Sequence, residues 1–260
     1  MTTRNALITF VGAAVIVGTA ACGTTSSPVA ITMGTRSPVP ATTAAPTTAA
    51  PTTTPSSRPL AADPSACGDL GGTVDGDRTC QVHAATSTYT LDVTFPIDYP
   101  DQGALTATLT KLRDQFVDMV DERPARDNPY ALAITGTAYR SSGTESVVFE
   151  EYMETGGAHP ETYYEALNYD LGAGVPVTLD TLFKPGTNPP AVLDPIVRQE
   201  LANRVGGEAS DNPVGVTAYE HFAITDDAVI FFIGQGMWIM EAAGPQEVPV
   251  PRSDLTAVLA

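Results

Sequence analysis

Basic residues are scarce in this 260-residue chain, which has 13 lysines and arginines against 30 aspartates and glutamates. All 30 acidic residues and ten of the 13 basic ones lie in 63–260, so that region carries a formal charge of −20. A region this acidic argues against nucleic acid and anionic lipid headgroups as partners. It favours a basic partner.

The motifs of the common enzyme classes are also missing. The three histidines, His83, His159 and His221, show neither HExxH nor another close metal-ligand spacing. No Walker loop or GxGxxG fingerprint occurs, and no serine stands in a GxSxG nucleophile elbow. The sequence therefore predicts no cofactor and no metal, and it assigns no catalytic residue.

A serine–histidine–aspartate triad stays open, because triads are assembled in space from residues that are distant in sequence. The serines that come into question are Ser141, Ser142 and Ser146, in or beside a predicted turn, and the base would be His159 or His221. For the serines, the competing interpretation is ordinary turn chemistry.

Two further features allow both a structural and a functional interpretation. His159 lies in the run 156–160 (GGAHP), which fits either an exposed base or a glycine turn whose imidazole bonds to backbone. Trp238 lies among glycines and methionines. It belongs either to an exposed apolar loop for a partner or ligand, or to the core.

The N-terminus resembles a lipoprotein export signal. Arg4 is the one charge ahead of Cys22, and the apolar stretch 6–17 has the length of a signal-peptide core, which is short for a spanning helix. We therefore expect 1–21 to be a signal peptide and Cys22 to carry lipid, on the extracytoplasmic face of the cell membrane. Thr19 stands where an aliphatic residue is usual in a lipoprotein signal. Ordinary secretory cleavage near Ala20 or Ala21, which would release a soluble protein, therefore stays open.

The rest of the chain divides into a tether and a domain. Residues 22–62 are rich in Thr, Pro, Ala and Ser and contain no acidic residue, so we expect a disordered tether behind the lipidated cysteine. Residues 63–260 are enough for one globular domain. Cys67 and Cys80 flank a glycine-rich loop, which in an exported protein predicts a disulfide and leaves Cys22 for lipid.

Hydrophobic periodicity predicts an α+β domain with an antiparallel or mixed sheet. A helix is expected to begin at Asp101 and to stop before Pro124, with one apolar face made by Leu105, Leu109, Leu112, Phe116 and Met119. A second amphipathic helix begins near Pro189. The predicted strands are 89–95, 130–139, 147–153, 163–169, a hairpin of 222–225 with 229–233, and a last strand at 248–250.

Eight short blocks, in order along 63–260, carry a family resemblance. They are 67–73 (CGDLGGT), 99–102 (YPDQ), 113–116 (RDQF), 129–132 (PYAL), 156–160 (GGAHP), 222–225 (FAIT), 241–245 (EAAGP) and 250–253 (VPRS). The set resembles the secreted mycobacterial immunogenic proteins of the MPT/MPB type. More distantly, it is similar to the extracellular domain of RsiV-type anti-sigma factors.

The resemblance implies a grasp-like sheet wrapped on one long helix, and it supports the Cys67–Cys80 bridge. It implies no generally established catalytic site. RsiV-type domains bind lysozyme, a basic protein, and some secreted relatives are described as esterases. The leading hypothesis is a cell-envelope lipoprotein whose extracytoplasmic domain binds a basic protein or an envelope component. The alternatives are an esterase acting on short acyl esters and an antigen with no discrete site.

Overall fold

A computed structural model describes residues 65–76, 78–124, 126–207, 209–210 and 215–260. The predicted signal peptide, Cys22 and the tether lie outside these residues. The described residues belong to one compact unit. None of its helices is both long and apolar enough to cross a membrane.

Within the described residues, ten strands form two sheets, and four α-helices accompany them. The strands are β1 (Thr73–Val74), β2 (Thr79–Ala85), β3 (Tyr89–Pro96), β4 (Tyr130–Arg140), β5 (Thr144–Glu154), β6 (Glu161–Asp170), β7 (Val175–Pro176), β8 (Phe222–Ile224), β9 (Ala228–Ile233) and β10 (Gln246–Pro251). The helices are α1 (Ser65–Asp69), α2 (Gln102–Asp121), α3 (Leu179–Leu182) and α4 (Pro189–Val205). The large sheet has the order β1-β2-β3-β4-β5-β6-β7, and the small sheet has the order β10-β9-β8.

The large sheet is mixed because one helix interrupts its hairpins. β3 and β4 are parallel, with Tyr89 opposite Tyr130, since α2 carries the chain back between them. The other pairs of this sheet are antiparallel. This arrangement confirms the predicted α+β class, the grasp-like wrap around one long helix, the second helix and the C-terminal hairpin.

The first core lies between α2 and one face of the large sheet. Asp101 caps the helix as predicted, since its Oδ1 accepts a hydrogen bond from the Ala104 N–H at 2.9 Å. The predicted apolar face is wrong at its last position: Met119 is 41% exposed, and Val120 is buried in its place. The period of 3.6 residues carries the stripe from Phe116 to Val120 and leaves Met119 at its edge.

The predicted Cys67–Cys80 disulfide is present in the first core, where it ties α1 to β2. A second close approach occurs at Gly136 on β4. A Cβ there would lie 3.0 Å from the Phe149 ring and 3.0 Å from the Cβ of Phe95, so glycine allows these side chains to pack against the strand.

The small sheet lies between the large sheet and α4. One face joins α4 in a second core, which includes Leu193, Phe231 and Val250. The other face packs on the side of the large sheet away from α2, through a small cluster of Val148, Tyr164, Ala223 and Phe232. The alternation of side chains along each strand places these two sets on opposite faces. The junction between the sheets is where polar groups and clefts gather.

Candidate functional site

Ser141 and Ser142 lie in the turn between β4 and β5. Ser141 Oγ accepts hydrogen bonds from the N–H groups of Gly143 (3.1 Å) and Thr144 (2.9 Å). The Ser142 N–H donates to Asp226 Oδ1 at 2.7 Å, which joins this turn to the β8–β9 turn. These bonds close the turn and attach it to the small sheet, as the turn interpretation expects.

His159 lies at the opposite end of β5, in the β5–β6 connection. β5 has 11 residues, and a rise of about 3.4 Å per residue separates Ser141 and Ser142 from His159 by roughly 35 Å. The structure therefore does not bring these serines and this histidine together.

Both ring nitrogens of His159 face acceptors. Nδ1 donates to the Pro160 carbonyl at 3.1 Å, and Nε2 lies 2.9 Å from Glu241 Oε2. The hydrogen bond to Pro160 and the charge of Glu241 raise the pKa of His159. The imidazole thus links the β5–β6 connection to the β9–β10 connection, and its raised pKa shifts the balance away from the neutral form that a general base needs.

Ser146 is fully buried at the junction of the two sheets. Its hydroxyl donates to Asn168 Oδ1 at 2.6 Å and accepts from the Ile224 N–H at 3.2 Å. Asn168 Nδ2 donates to the Phe222 carbonyl at 2.8 Å. Ser146 and Asn168, both from the large sheet, therefore form hydrogen bonds with backbone groups on the unpaired edge of β8. These bonds cover the edge strand.

His221 directly precedes β8, and its Nε2 lies 3.6 Å from the Glu220 carboxylate. Among the residues that the structure describes, no hydrogen bond joins Ser141, Ser142 or Ser146 to His159 or His221. These five candidates do not form a triad in this conformation.

Trp238 belongs to the second core, where it is only 2% exposed. Its ring packs against Tyr219, and the Arg198 guanidinium lies 5.0 Å above it. Met237 and Met240 beside it are exposed. The core interpretation of Trp238 is therefore the one that the structure supports.

Arg140 holds a partly buried ion cluster next to the serine turn. Its Nε donates to both oxygens of Glu145, at 2.7 and 2.9 Å, and its Nη2 donates to Asp98 at 2.7 Å. Burial raises the pKa of Glu145, and the hydrogen bond from Arg140 opposes that shift. The cluster fixes the end of the β4–β5 hairpin.

An amphipathic cleft of about 320 Å³ adjoins the same turn, and we name it the Arg252 cleft. Its walls are largely apolar and include Val177 and Leu182, while Thr144, Asp170 and Arg252 supply polar atoms. Arg252 Nη1 donates to the Thr225 carbonyl at 3.3 Å. The volume is at the lower end of the range for small-molecule sites, which begins at about 300 Å³.

A smaller cleft of about 120 Å³ lies on the other side of the junction, and we name it the Tyr164 cleft. Its lining residues come from β4, β5, β6, β9 and β10, namely Thr135, Thr137, Tyr139, Val148, Glu150, Tyr164, Phe232 and Glu247. Sequence reasoning missed this site. The alternation in β5 and β6 does place Glu150 and Tyr164 on one face, but nothing in the local sequence shows that Glu247 of β10 lines the same cleft.

Nine of the ten cations of the domain have partners within the fold. Lys111 lies in the field of Glu151, and the other nine donate hydrogen bonds or form ion pairs. These nine are Arg78, Arg113, Arg123, Arg126, Arg140, Lys184, Arg198, Arg204 and Arg252. No group of three His, Cys, Asp or Glu side chains suited to a metal ion occurs in the described part of the chain.

The family DUF3298, described as a protein of unknown function, matches residues 180–253. A solved DUF3298 family protein from Pseudomonas aeruginosa covers 74% of this chain and 96% of its own, with 15% identity and a TM-score of 0.49.

Two curated mycobacterial relatives match most of the chain. Esterase Rv3036c of Mycobacterium tuberculosis is 44% identical over 202 residues, which are 75% of this chain and 89% of the relative. Immunogenic protein MPT64 of the same species is 38% identical over 207 residues, which are 77% and 90% of the two chains. The chain therefore belongs to the family that contains Esterase Rv3036c and MPT64.

Proposed function

We propose that this protein is a cell-envelope lipoprotein whose extracytoplasmic domain binds a basic protein. The observation that carries the proposal is the charge balance of 63–260. The region has a formal charge of −20, and nine of its ten cations already donate hydrogen bonds or form ion pairs inside the fold. Its surface therefore offers carboxylates to a partner and few free cations.

Such a surface contributes more to the association rate and to the orientation of a basic protein than to the affinity of the complex. Complementary charge raises the association rate and excludes acidic partners. We therefore expect binding to be rapid and to weaken steeply with salt, since the Debye length falls from about 10 Å at 0.1 M to about 3 Å at 1 M.

The first test measures binding of the full chain to hen egg-white lysozyme by isothermal titration calorimetry at low and moderate salt. We expect saturable binding that weakens as salt rises. An acidic protein of similar size serves as the control and is expected not to bind. Absence of binding to lysozyme and to every basic envelope protein tried would overturn the proposal.

The anchor is tested separately through Cys22. A Cys22→Ala variant is expected to leave the membrane fraction, and the unaltered precursor is expected to accumulate with globomycin. Membrane association that survives Cys22→Ala contradicts lipid attachment at this residue.

A second candidate function is hydrolysis of short acyl esters, which the 44% identical relative named an esterase favours. The Arg252 cleft offers space for a short acyl group, because its walls are largely apolar and the Arg252 cation and the Asp170 carboxylate lie among them. It lies next to Thr144 and so to the serine turn.

This function is tested with p-nitrophenyl butyrate and a fluorophosphonate probe. Hydrolysis together with covalent labelling of one serine would support it. Activity that is retained when Ser141, Ser142, Ser146, His159 and His221 are each substituted would reject every triad built from them.

A further inference from the structure

The Tyr164 cleft combines carboxylates with aromatic walls. Glu150 stands directly opposite Tyr164 across β5 and β6, and Glu247 stands directly opposite Phe232 across β10 and β9. Two carboxylates from different sheets thus reach one cleft of about 120 Å³. In the described part of the chain, neither carboxylate has a hydrogen bond or an ion pair with a cation.

Tyr164 provides an independent sign that the cleft is built for a ligand. Its side chain is only 7% exposed, it lines the cleft, and its hydroxyl makes no hydrogen bond to the described residues. The ring is buried, but the hydroxyl oxygen is accessible from the cleft, so a bound polar group can form a hydrogen bond with it. An unpartnered hydroxyl in the field of Glu150 and Glu247 marks a place where a polar group is expected to bind.

The aromatic rings form the walls. Tyr139 and Tyr164 both pack on Phe232, with ring centroids 5.5 and 5.2 Å apart. Burial, and then Glu247 and Glu150, raise the pKa of Tyr139 to about 12, so its hydroxyl stays protonated and neutral. Rings and carboxylates together suit a planar, delocalised cation, which stacks on aromatic faces and donates to carboxylate oxygens.

We infer that the Tyr164 cleft receives the guanidinium group of an arginine side chain on the basic partner. This inference rests on the proposed function and assigns its central contact. The cleft volume of about 120 Å³ can hold the terminal group of one side chain, whereas small-molecule sites begin at about 300 Å³. Arginine in a desolvated pocket is also a common hot spot of protein interfaces.

The first experiment compares two double variants of the full chain with equal changes in charge. Glu150→Gln with Glu247→Gln alters the cleft, whereas Asp118→Asn with Asp121→Asn alters the exposed side of α2, across the large sheet. We expect the cleft pair to weaken lysozyme binding by about tenfold and the α2 pair by about twofold or less. Equal losses in the two pairs would overturn the inference while leaving the proposed function intact.

The tyrosine hydroxyl is tested by Tyr164→Phe, with Tyr163→Phe on the opposite face of β6 as its control. We expect Tyr164→Phe to weaken lysozyme binding by about threefold without lowering the melting temperature, because the hydroxyl has no partner to lose within the described fold. A loss of binding that appears only together with a loss of stability would count against a direct contact.

A third experiment examines the cleft without any protein partner. Nα-acetylarginine amide is titrated into the full chain, and the Tyr164 ring signal, identified by its disappearance in Tyr164→Phe, is followed by NMR. The arginine derivative is expected to shift this signal, and the neutral citrulline analogue is not. If lysozyme fails to bind, the proposed function is contradicted for that partner. The titration still tests whether the Tyr164 cleft binds a guanidinium group. Equal shifts with citrulline, or shifts with calcium ion alone, would overturn the guanidinium assignment.

Discussion

The two cores of this domain are stabilised in different ways. The first core, between α2 and the large sheet, contains the Cys67–Cys80 bridge and strands that follow one another in sequence. Both cores bury large aromatic side chains, but the second core, between α4 and the small sheet, has no disulfide among its described residues and depends on packing alone. Its largest members are Trp238, Tyr219, Phe222 and Phe231, each 2% exposed or less.

The difference shows where each half obtains its stability. A disulfide acts mainly on the unfolded chain by restricting it, whereas aromatic packing acts on the folded state. The DUF3298 match at 180–253 falls on the second core, the half that depends on packing. We therefore expect substitutions inside the second core to have the largest effects.

Trp238→Ala is expected to have the largest effect of all. It removes a buried indole, its contact with Tyr219 and its stacking with Arg198, and loss of a large aromatic from a core costs about 3–5 kcal/mol. Urea unfolding followed by circular dichroism measures the change. Met240→Ala, at a side chain that is 69% exposed, is the control and is expected to change stability by less than about 0.5 kcal/mol. A comparable loss in both variants would show that the second core is not packed as described.

Removal of the disulfide is expected to rank next. Cys67→Ala with Cys80→Ala opens a bridge that spans 13 residues, and a loop of that length is worth about 3 kcal/mol. Hydrogen exchange is expected to quicken first in β2 and β3, while β9 stays protected. The reduced wild-type chain is the matched control and should show the same loss. Equally fast exchange in β9 would mean that the two cores unfold as one unit.

Ser146→Ala acts on the junction between the two cores. It leaves the Ile224 N–H and Asn168 Oδ1 without their partner, and each unsatisfied buried group costs about 1–3 kcal/mol. The free energy of unfolding is expected to fall by about 2 kcal/mol, and the small sheet should lose protection first. Ser253→Ala, at an exposed serine, is expected to be neutral. A neutral Ser146→Ala would show that the junction depends on the apolar cluster around Phe232 alone.

Local periodicity was enough to predict most of the first core. α2 and its cap at Asp101 follow from the spacing of Leu105, Leu109 and Leu112, and the bridge follows from two cysteines around a glycine-rich loop. The exposure of Met119 shows the limit of that reasoning, because a stripe defined by i+3 and i+4 steps leaves its last member ambiguous.

The junction could not be predicted in the same way. Ser146 meets Ile224 across 78 residues, and Glu247 shares the cleft of Tyr164 only because the small sheet packs on this face of the large sheet. Such contacts depend on which face of the large sheet the small sheet covers. The separation of Ser142 from His159 likewise depends on the length of β5, which the prediction had shorter at both ends.

Glu151→Gln is expected to have the smallest effect and to reveal itself through pH. Glu151 lies on β5, near Glu165 and Lys111, and burial followed by the charge of Glu165 raises its pKa to about 7, against an ordinary value of 4.5. Between these two values the folded state holds a proton that the unfolded state has released. The contribution of Glu151 to the free energy of unfolding is therefore fully present below the unfolded pKa. It is lost as pH rises through the folded pKa. Since one pKa unit corresponds to about 1.4 kcal/mol and the site is partly screened by solvent, the expected loss is about 1–2 kcal/mol.

The glutamine variant cannot ionise, so it should be more stable than the wild type at about pH 8 and similar to it at about pH 4. Urea midpoints at both pH values measure this difference, with Glu122→Gln at the exposed end of α2 as the control. If Glu151→Gln keeps the pH dependence of the wild type, the carboxyl is solvated and the first core is more open at this edge. If the dependence disappears, the first core excludes water here as the second core does around Trp238. The contrast between the two halves would then lie in their crosslinking and not in the dryness of their interiors.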